Sequence, residues 1–128
     1  MFTHVHLGSN DTERSRRFYD AIFAAIGGPA GVKDPERNRY FYQHDGAMLI
    51  VGEPIDGEAA TPGNGMTIGF KVASPEQGDA WYKAGVDNGG TGIEEAPGIR
   101  KKTVGMLYLA YMRDPDGNKL CAMKRMEG

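Results

Sequence analysis

An α+β fold built from two copies of one strand-and-helix unit is predicted by three observations. Residues near the start recur in the middle at a constant offset of 63, with His4 falling on Thr67, Phe18 on Trp81, Tyr19 on Tyr82 and Gly27 on Gly90. Each copy opens with two-residue alternation of apolar side chains and continues with apolar residues at helical spacing. Asp-Gly turns recur at a second offset, Asp45-Gly46 matching Asp116-Gly117 at a distance of 71. Each half therefore reads β-α-β-β-β, with the helix on the apolar face of a small sheet. Halves of about 60 residues bury too little surface to stand alone, so they pack together or against a partner subunit.

Residues 2–8 form the first strand, with Thr3, Val5 and Leu7 on one face and Phe2, His4, His6 and Gly8 on the other. Asn10 or Asp11 caps the helix that follows, Phe18, Ile22 and Ile26 mark its apolar stripe, and Gly27-Gly28 ends it. Tyr40, Phe41 and Tyr42 lead into His44-Asp45-Gly46, a hairpin signal because glycine accepts positive φ. The returning strand covers 47–52. Pro54, Gly57, Pro62 and Gly63 make 54–65 a linker, which places module one at about 1–53 and module two at about 66–128. Met66 to Val72 repeats the first strand, and Ser74-Pro75-Glu76 starts the second helix, with serine as cap and proline in the first turn. A short strand near 91–95, a long one over 104–112 and a last one over 120–125 complete the half. Asp114-Pro115-Asp116-Gly117-Asn118 turns between the last two. Tyr108 and Tyr111 fall on opposite faces of the long strand, so at most one of them lines a pocket.

Composition excludes several classes of function. A net charge of -2 gives no electrostatic reason for nucleic acid or an anionic membrane surface, and the clusters Arg14, Arg16, Arg17 and Arg100, Lys101, Lys102 read as solvated faces. No run of about 18 apolar residues is present to span a membrane. Met1 to His6 carry neither the basic segment nor the apolar run of a secretory leader. With Cys121 as the only cysteine no internal disulfide forms, and a cytoplasmic location is expected.

The face opposite the helix is polar for a sealed core: His4 and His6 in the first strand, Thr67, Gly69 and Lys71 in its repeat. A small-molecule ligand is its natural occupant. Thr-His-Val-His-Leu-Gly followed by Arg-Ser-Arg-Arg-Phe-Tyr-Asp, then Thr-Pro-Gly-Asn-Gly-Met-Thr-Ile-Gly-Phe, then Arg-Asp-Pro-Asp-Gly-Asn, in that order, resemble the vicinal oxygen chelate superfamily. That group includes glyoxalase I, extradiol dioxygenases, fosfomycin-modifying thiol transferases and bleomycin-binding proteins. The resemblance covers nearly the whole chain and implies a single glyoxalase-like domain over 1–128. It further implies two βαβββ modules pairing into an open, cup-shaped mixed sheet with the helices outside. Such proteins usually enclose a divalent metal that chelates two substrate oxygens.

The repeat locates the four metal-ligand positions. His4 and Thr67 correspond, and the offset of 71 pairs Ile50 with Cys121; in chain order, metal-bearing relatives hold His, Glu or Gln, His and Glu where this chain has His4, Ile50, Thr67 and Cys121. A divalent ion needs three or four nitrogen, carboxylate or thiolate donors converging at about 2.0 to 2.3 Å. Ile50 supplies none, neutral Thr67 is a poor ligand, and His4 and His6 stand about 7 Å apart along one strand face. His4 remains the one candidate for a metal-ligand or acid-base role, against the plainer reading of a hydrogen-bonded sheet histidine. Glu53, three residues beyond Ile50, falls on the opposite face or in the loop and does not replace the missing carboxylate.

His6, Ile50, Thr67, Arg100, Cys121 and Met123 are the candidate substrate-binding residues. Arg100, in a loop before the long strand, is placed to grip a carboxylate or phosphate. Cys121 beside Met123 reads as an apolar wall, since no neighbouring base marks it as a nucleophile. Two functions fit the resemblance. One is a glyoxalase-like enzyme of lyase, isomerase or dioxygenase type acting on a small oxygenated or thiol-conjugated molecule. The other is a metal-free, drug-sequestering protein of bleomycin-resistance type. Both imply a homodimer.

Overall fold

The computed structural model describes residues 1–127. Its first module runs β1 (His4–Gly8), α1 (Thr12–Ala25), β2 (Val32–Lys33), β3 (Arg39–His44) and β4 (Ala47–Gly52). The second runs β5 (Ile68–Lys71), α2 (Pro75–Asp87), β6 (Thr91–Gly92), β7 (Gly98–Lys102), β8 (Gly105–Arg113) and β9 (Lys119–Arg125). The sheets have the orders β1-β4-β3-β2 and β5-β9-β8-β6, with β7 also paired to β8, and they do not close into a barrel. In each module the strand before the helix pairs in parallel with the last strand, and every other pairing is antiparallel. No helix among the described residues is long and apolar enough to cross a membrane.

Local chemistry explains the helix starts and the first hairpin. The Asp11 side chain accepts from the Arg14 amide and caps α1; Ser74 accepts from the Gln77 amide and caps α2, with Pro75 in its first turn. Asp45 and Gly46 take φ of 55° and 84°, the left-handed pair a two-residue hairpin turn requires. One correction concerns Gly98-Ile99-Arg100-Lys101-Lys102, expected in a loop. These residues form β7, antiparallel to β8, because Gly105 at φ 121° folds the chain back on itself.

Alternation puts Val5, Leu7, Tyr40, Tyr42, Leu49 and Val51 on the helix side of the first sheet. Ile68, Phe70, Tyr108, Ala110, Met112, Leu120 and Ala122 occupy the same side of the second. These residues and the apolar stripes of both helices make one core that runs across the two modules, so the parity of Tyr108 faces the helices and Tyr111 faces away. Burial of this size is the main source of stability in such a fold.

A polar interlock joins the modules at one end. The Asp116 carboxylate accepts from the Asn10 amide at 2.9 Å, Arg14 Nη2 at 2.9 Å and Ser15 Oγ at 3.0 Å. Tyr19 donates to Asp114 at 2.5 Å, and Asn118 Nδ2 donates to the Gly8 carbonyl at 3.2 Å. Arg14 is thus a bridge between modules rather than part of a solvated face.

Candidate functional site

On the open face of the first sheet, His6 and Ile50 are register partners across β1 and β4, and Phe41 lies opposite Ile50 on β3. Ile50 is 7% exposed, so this face carries a buried apolar centre. Arg39 lies over the Phe41 ring at 5.2 Å and is held by Asp34 at 2.7 Å. The His6 imidazole is held below its ordinary pKa, first by burial and then by the positive charges of Arg39 and Arg37, with His4 contributing. His6 is therefore neutral at pH 7 and available as a hydrogen-bond acceptor. A proton-NMR titration is expected to place its midpoint below 6.5, and Arg37→Gln to move it part of the way back. Because the folded form takes its proton late, His6 favours the folded state above its ordinary pKa. That contribution is lost as pH falls through the depressed value. A His6 midpoint at or above 6.5 would contradict this account.

The repeat carries through to the second sheet. Gly69 replaces His6 beside Cys121 across β5 and β9, and Tyr111 replaces Phe41 opposite it on β8. Leu107, Leu109 and Cys121 form a second buried cluster, with Tyr111 packed against it, on the side away from the helices. Burial pushes the Cys121 thiol up, so it is a wall residue and not a ready nucleophile. Met123, on the same face, is 44% exposed. Arg100 does not reach a free position at a mouth: its Nη2 donates to the carbonyls of Glu95 at 3.1 Å and Ala96 at 2.7 Å.

The site residues expected from the sequence therefore separate into three places. His6 and Ile50 share the first open face; Arg100, Cys121 and Met123 share the second; His4 and Thr67 meet at a cavity of about 460 Å³ where the modules adjoin. Phe23, Ile26, Tyr42 and Leu49, all nearly fully buried, form its floor together with Phe70. Phe23 stacks on Tyr42 at 4.8 Å and meets Phe70 edge-on at 5.6 Å. The Tyr42 hydroxyl donates to Asp20 at 2.7 Å, so the floor offers no free donor there. His4, His44, Asp45, Thr67 and Lys71 stand around the opening.

The cavity exists because the interlock is made once and not twice. By the offsets of 63 and 71, the counterpart of Asp116 is Asp45, and those of Asn10, Arg14 and Ser15 are Ala73, Gln77 and Gly78. The Ala73 amide is taken by Gln77 Oε1 at 2.6 Å, Gly78 has no side chain, and Asp45 makes no hydrogen bond to any of them. Likewise Asn118 and Gly8, bonded in one half, correspond to Ala47 and Lys71, which line the cavity from its two sides. What fills one end of the seam is absent at the other, and aromatic core residues border a cavity there.

Among the described residues no three His, Cys, Asp or Glu side chains converge as a metal-binding group. Ile50 is buried on the first sheet, and Cys121 is packed into the Leu107 and Leu109 cluster of the second. The residues of this chain do not fit the chelated divalent ion of metal-bearing relatives. The cavity floor was beyond sequence reasoning, since Ile26 read only as part of the apolar stripe of a helix and Phe23 carried no signal.

A solved structure of a glyoxalase/bleomycin resistance protein from Albidiferax ferrireducens T118 is 52% identical, with a TM-score of 0.93 over 97% of this chain and 98% of that one. A glyoxalase/bleomycin resistance protein/dioxygenase family enzyme from Burkholderia phytofirmans PsJN is 17% identical, with a TM-score of 0.74 over 97% and 98%. A lactoylglutathione lyase from Agrobacterium tumefaciens is 18% identical, with a TM-score of 0.66 over 96% and 92%, and shares the fold. No protein-family model matches the chain, and no curated protein does.

Proposed function

The chain belongs to the glyoxalase/bleomycin resistance protein family of the vicinal oxygen chelate superfamily, and from that premise we propose that it binds a small amphipathic molecule without a metal. The observation that carries this reading is the junction cavity: an aromatic and aliphatic floor within a volume of about 460 Å³, ringed by His4, His44, Thr67 and Lys71. A volume in the range of about 300 to 1,000 Å³ suits an organic ligand. Phe23, Tyr42 and Phe70 receive its flat or apolar body, and the polar rim, which includes Lys71 and Asp45, faces its polar end. The competing reading, a lyase, isomerase or dioxygenase acting on a substrate chelated to metal, needs donors that Ile50 and Thr67 do not provide. A homodimer and a cytoplasmic location remain part of the proposal.

Gly69 gives a direct test. It lines the cavity, and a Cβ there meets no atom within 4 Å, so the backbone at this position has room for the side chain that Gly69→Leu adds at the opening. Binding of an apolar fluorescent probe with an anionic group, such as anilinonaphthalene sulfonate, is expected to weaken by about tenfold or more in Gly69→Leu, equivalent to ~1.4 kcal/mol. The thermal midpoint should stay unchanged. Equal binding by both proteins overturns the cavity as the site. A stoichiometric divalent ion retained through purification and lost in His4→Ala overturns the metal-free reading.

A further inference from the structure

Across β8 and β9, Arg113 stands directly opposite Lys119, and like charges at opposed positions repel one another. Both line a second cavity, of about 440 Å³, closed on its other side by Pro62, Gly63, Asn64, Gly65 and Met66. Arg113 donates one bond to the Gly117 carbonyl at 2.7 Å. Lys119 is ion-paired with Glu94, a residue held at φ 58°, in the left-handed region unfavourable to a glutamate. Lys119 also lies 5.0 Å from the Tyr111 ring centre, beside the apolar cluster of Leu107, Leu109 and Cys121. Two adjacent cations at an open cavity, with the half-buried Tyr111 ring beside them, are thus served by one carboxylate on a strained loop.

We propose that this is a second ligand site, for an aromatic or apolar molecule with an oxyanion head, whose head displaces Glu94 from Lys119 and settles between Lys119 and Arg113. Glu94 is an internal competitor that shields Lys119 while the site is empty. The bound head removes the repulsion between the two cations, and the body of the ligand lies against the half-buried Tyr111 ring beside Lys119. Carboxylate and phosphate share the necessary chemistry. Arg113, Lys119 and Tyr111 do not line the junction cavity, so this inference stands or falls separately from the function proposed above.

Calorimetric titration with phenyl phosphate, benzoate and inorganic phosphate tests it. Lys119→Met should weaken phenyl phosphate by about tenfold or more, and Glu94→Gln should tighten it several-fold, because the competitor is gone. Tyr111→Ala should weaken phenyl phosphate and leave inorganic phosphate unchanged. Phenyl phosphate tighter than benzoate assigns the head as phosphate, and the reverse order assigns a carboxylate. Binding to Lys119→Met as tight as to the unmodified protein, or no tightening in Glu94→Gln, overturns the proposal, as does the absence of any heat with Glu94→Gln. Hydrogen exchange supplies an independent readout: residues 93–97 should exchange faster with phenyl phosphate bound, and unchanged exchange overturns the competitor role.

Discussion

Asp114→Asn is expected to destabilise the protein by about 3 to 5 kcal/mol, the range for breaking a buried charge-assisted network. The carboxylate is 3% exposed and accepts four bonds. One oxygen takes the Asp116 and Asn118 amides at 2.9 Å each; the other takes the Tyr19 hydroxyl at 2.5 Å and Asn118 Nδ2 at 2.9 Å. Asparagine has one acceptor oxygen and one donor group. Whichever way it is turned, its amide nitrogen confronts two donors, among them groups of the buried Tyr19 or Asn118. Because Tyr19 belongs to α1 and Asp114 to the turn before β9, the loss also loosens one module from the other. Tyr19→Phe is the graded control, removing one donor while leaving three, and should cost about 1 to 2 kcal/mol. Urea unfolding of the three proteins checks both numbers, and a cost under about 1 kcal/mol for Asp114→Asn would contradict the network account.

How much of this was legible in the chain depends on where the information resides. Caps such as Asp11 and Ser74, and the Asp45-Gly46 turn, are local, because each satisfies backbone groups or a dihedral within four residues. The correspondence of Ile50 with Cys121 was legible because duplication wrote the same register twice; the structure sets Ile50 beside His6 and Cys121 beside Gly69, the pairs that the two offsets require. The strands β2 and β7 were not legible. Val32 and Lys33 are both exposed, and Gly98 to Lys102 present glycine and three basic residues, so neither shows alternation, and what makes them strands is the partner beside them. The junction cavity was hidden for a different reason. It follows from contacts that Asp45 and Ala47 do not make, and a missing contact leaves no periodicity to read. Arg100 shows the converse error: its residue type suits an oxyanion, yet its Nη2 is spent on two carbonyls of the loop before β7 and its Nε lies 3.6 Å from the Glu95 carboxylate.

The asymmetry between the two ends of the seam also accounts for how one fold supports both a stable core and an accessible cavity. At the 114–118 turn, buried polar bonds fix the second module against α1; at the 44–47 turn the same geometry lacks partners, and Phe23 of α1 and Ile26 just beyond it line the cavity instead. A protein with both interlocks would be tighter and would have no junction cavity. The apolar surface left unburied at the open end is the kind that marks a binding position.

Between those ends the seam is held by large residues set against glycines, and Phe18→Ala is expected to cost about 3 to 5 kcal/mol, the upper range for truncating a buried side chain. Phe18 is fully buried and meets Tyr19 edge-on at 4.9 Å. Its ring occupies the space that a Cβ on Gly85 or Gly90 would need: an added carbon would fall 3.1 Å from Phe18 Cε1 at position 85 and 2.6 Å at position 90. The void left by truncation is therefore bordered by residues with no side chain to relax into it, and such sites collapse least. A double-mutant cycle separates this from a general loss of core. In the unmodified protein Gly85→Ala forces its methyl against Met112 Cε at 2.3 Å as well as Phe18, whereas in Phe18→Ala one of those two obstacles is gone. Gly85→Ala should accordingly be less harmful in the truncated background by about 1 kcal/mol, read from denaturant midpoints. Additive costs would mean that Phe18 and Gly85 do not share the seam, and the α1 to α2 contact would then owe its closeness to something other than this fit of ring and glycine.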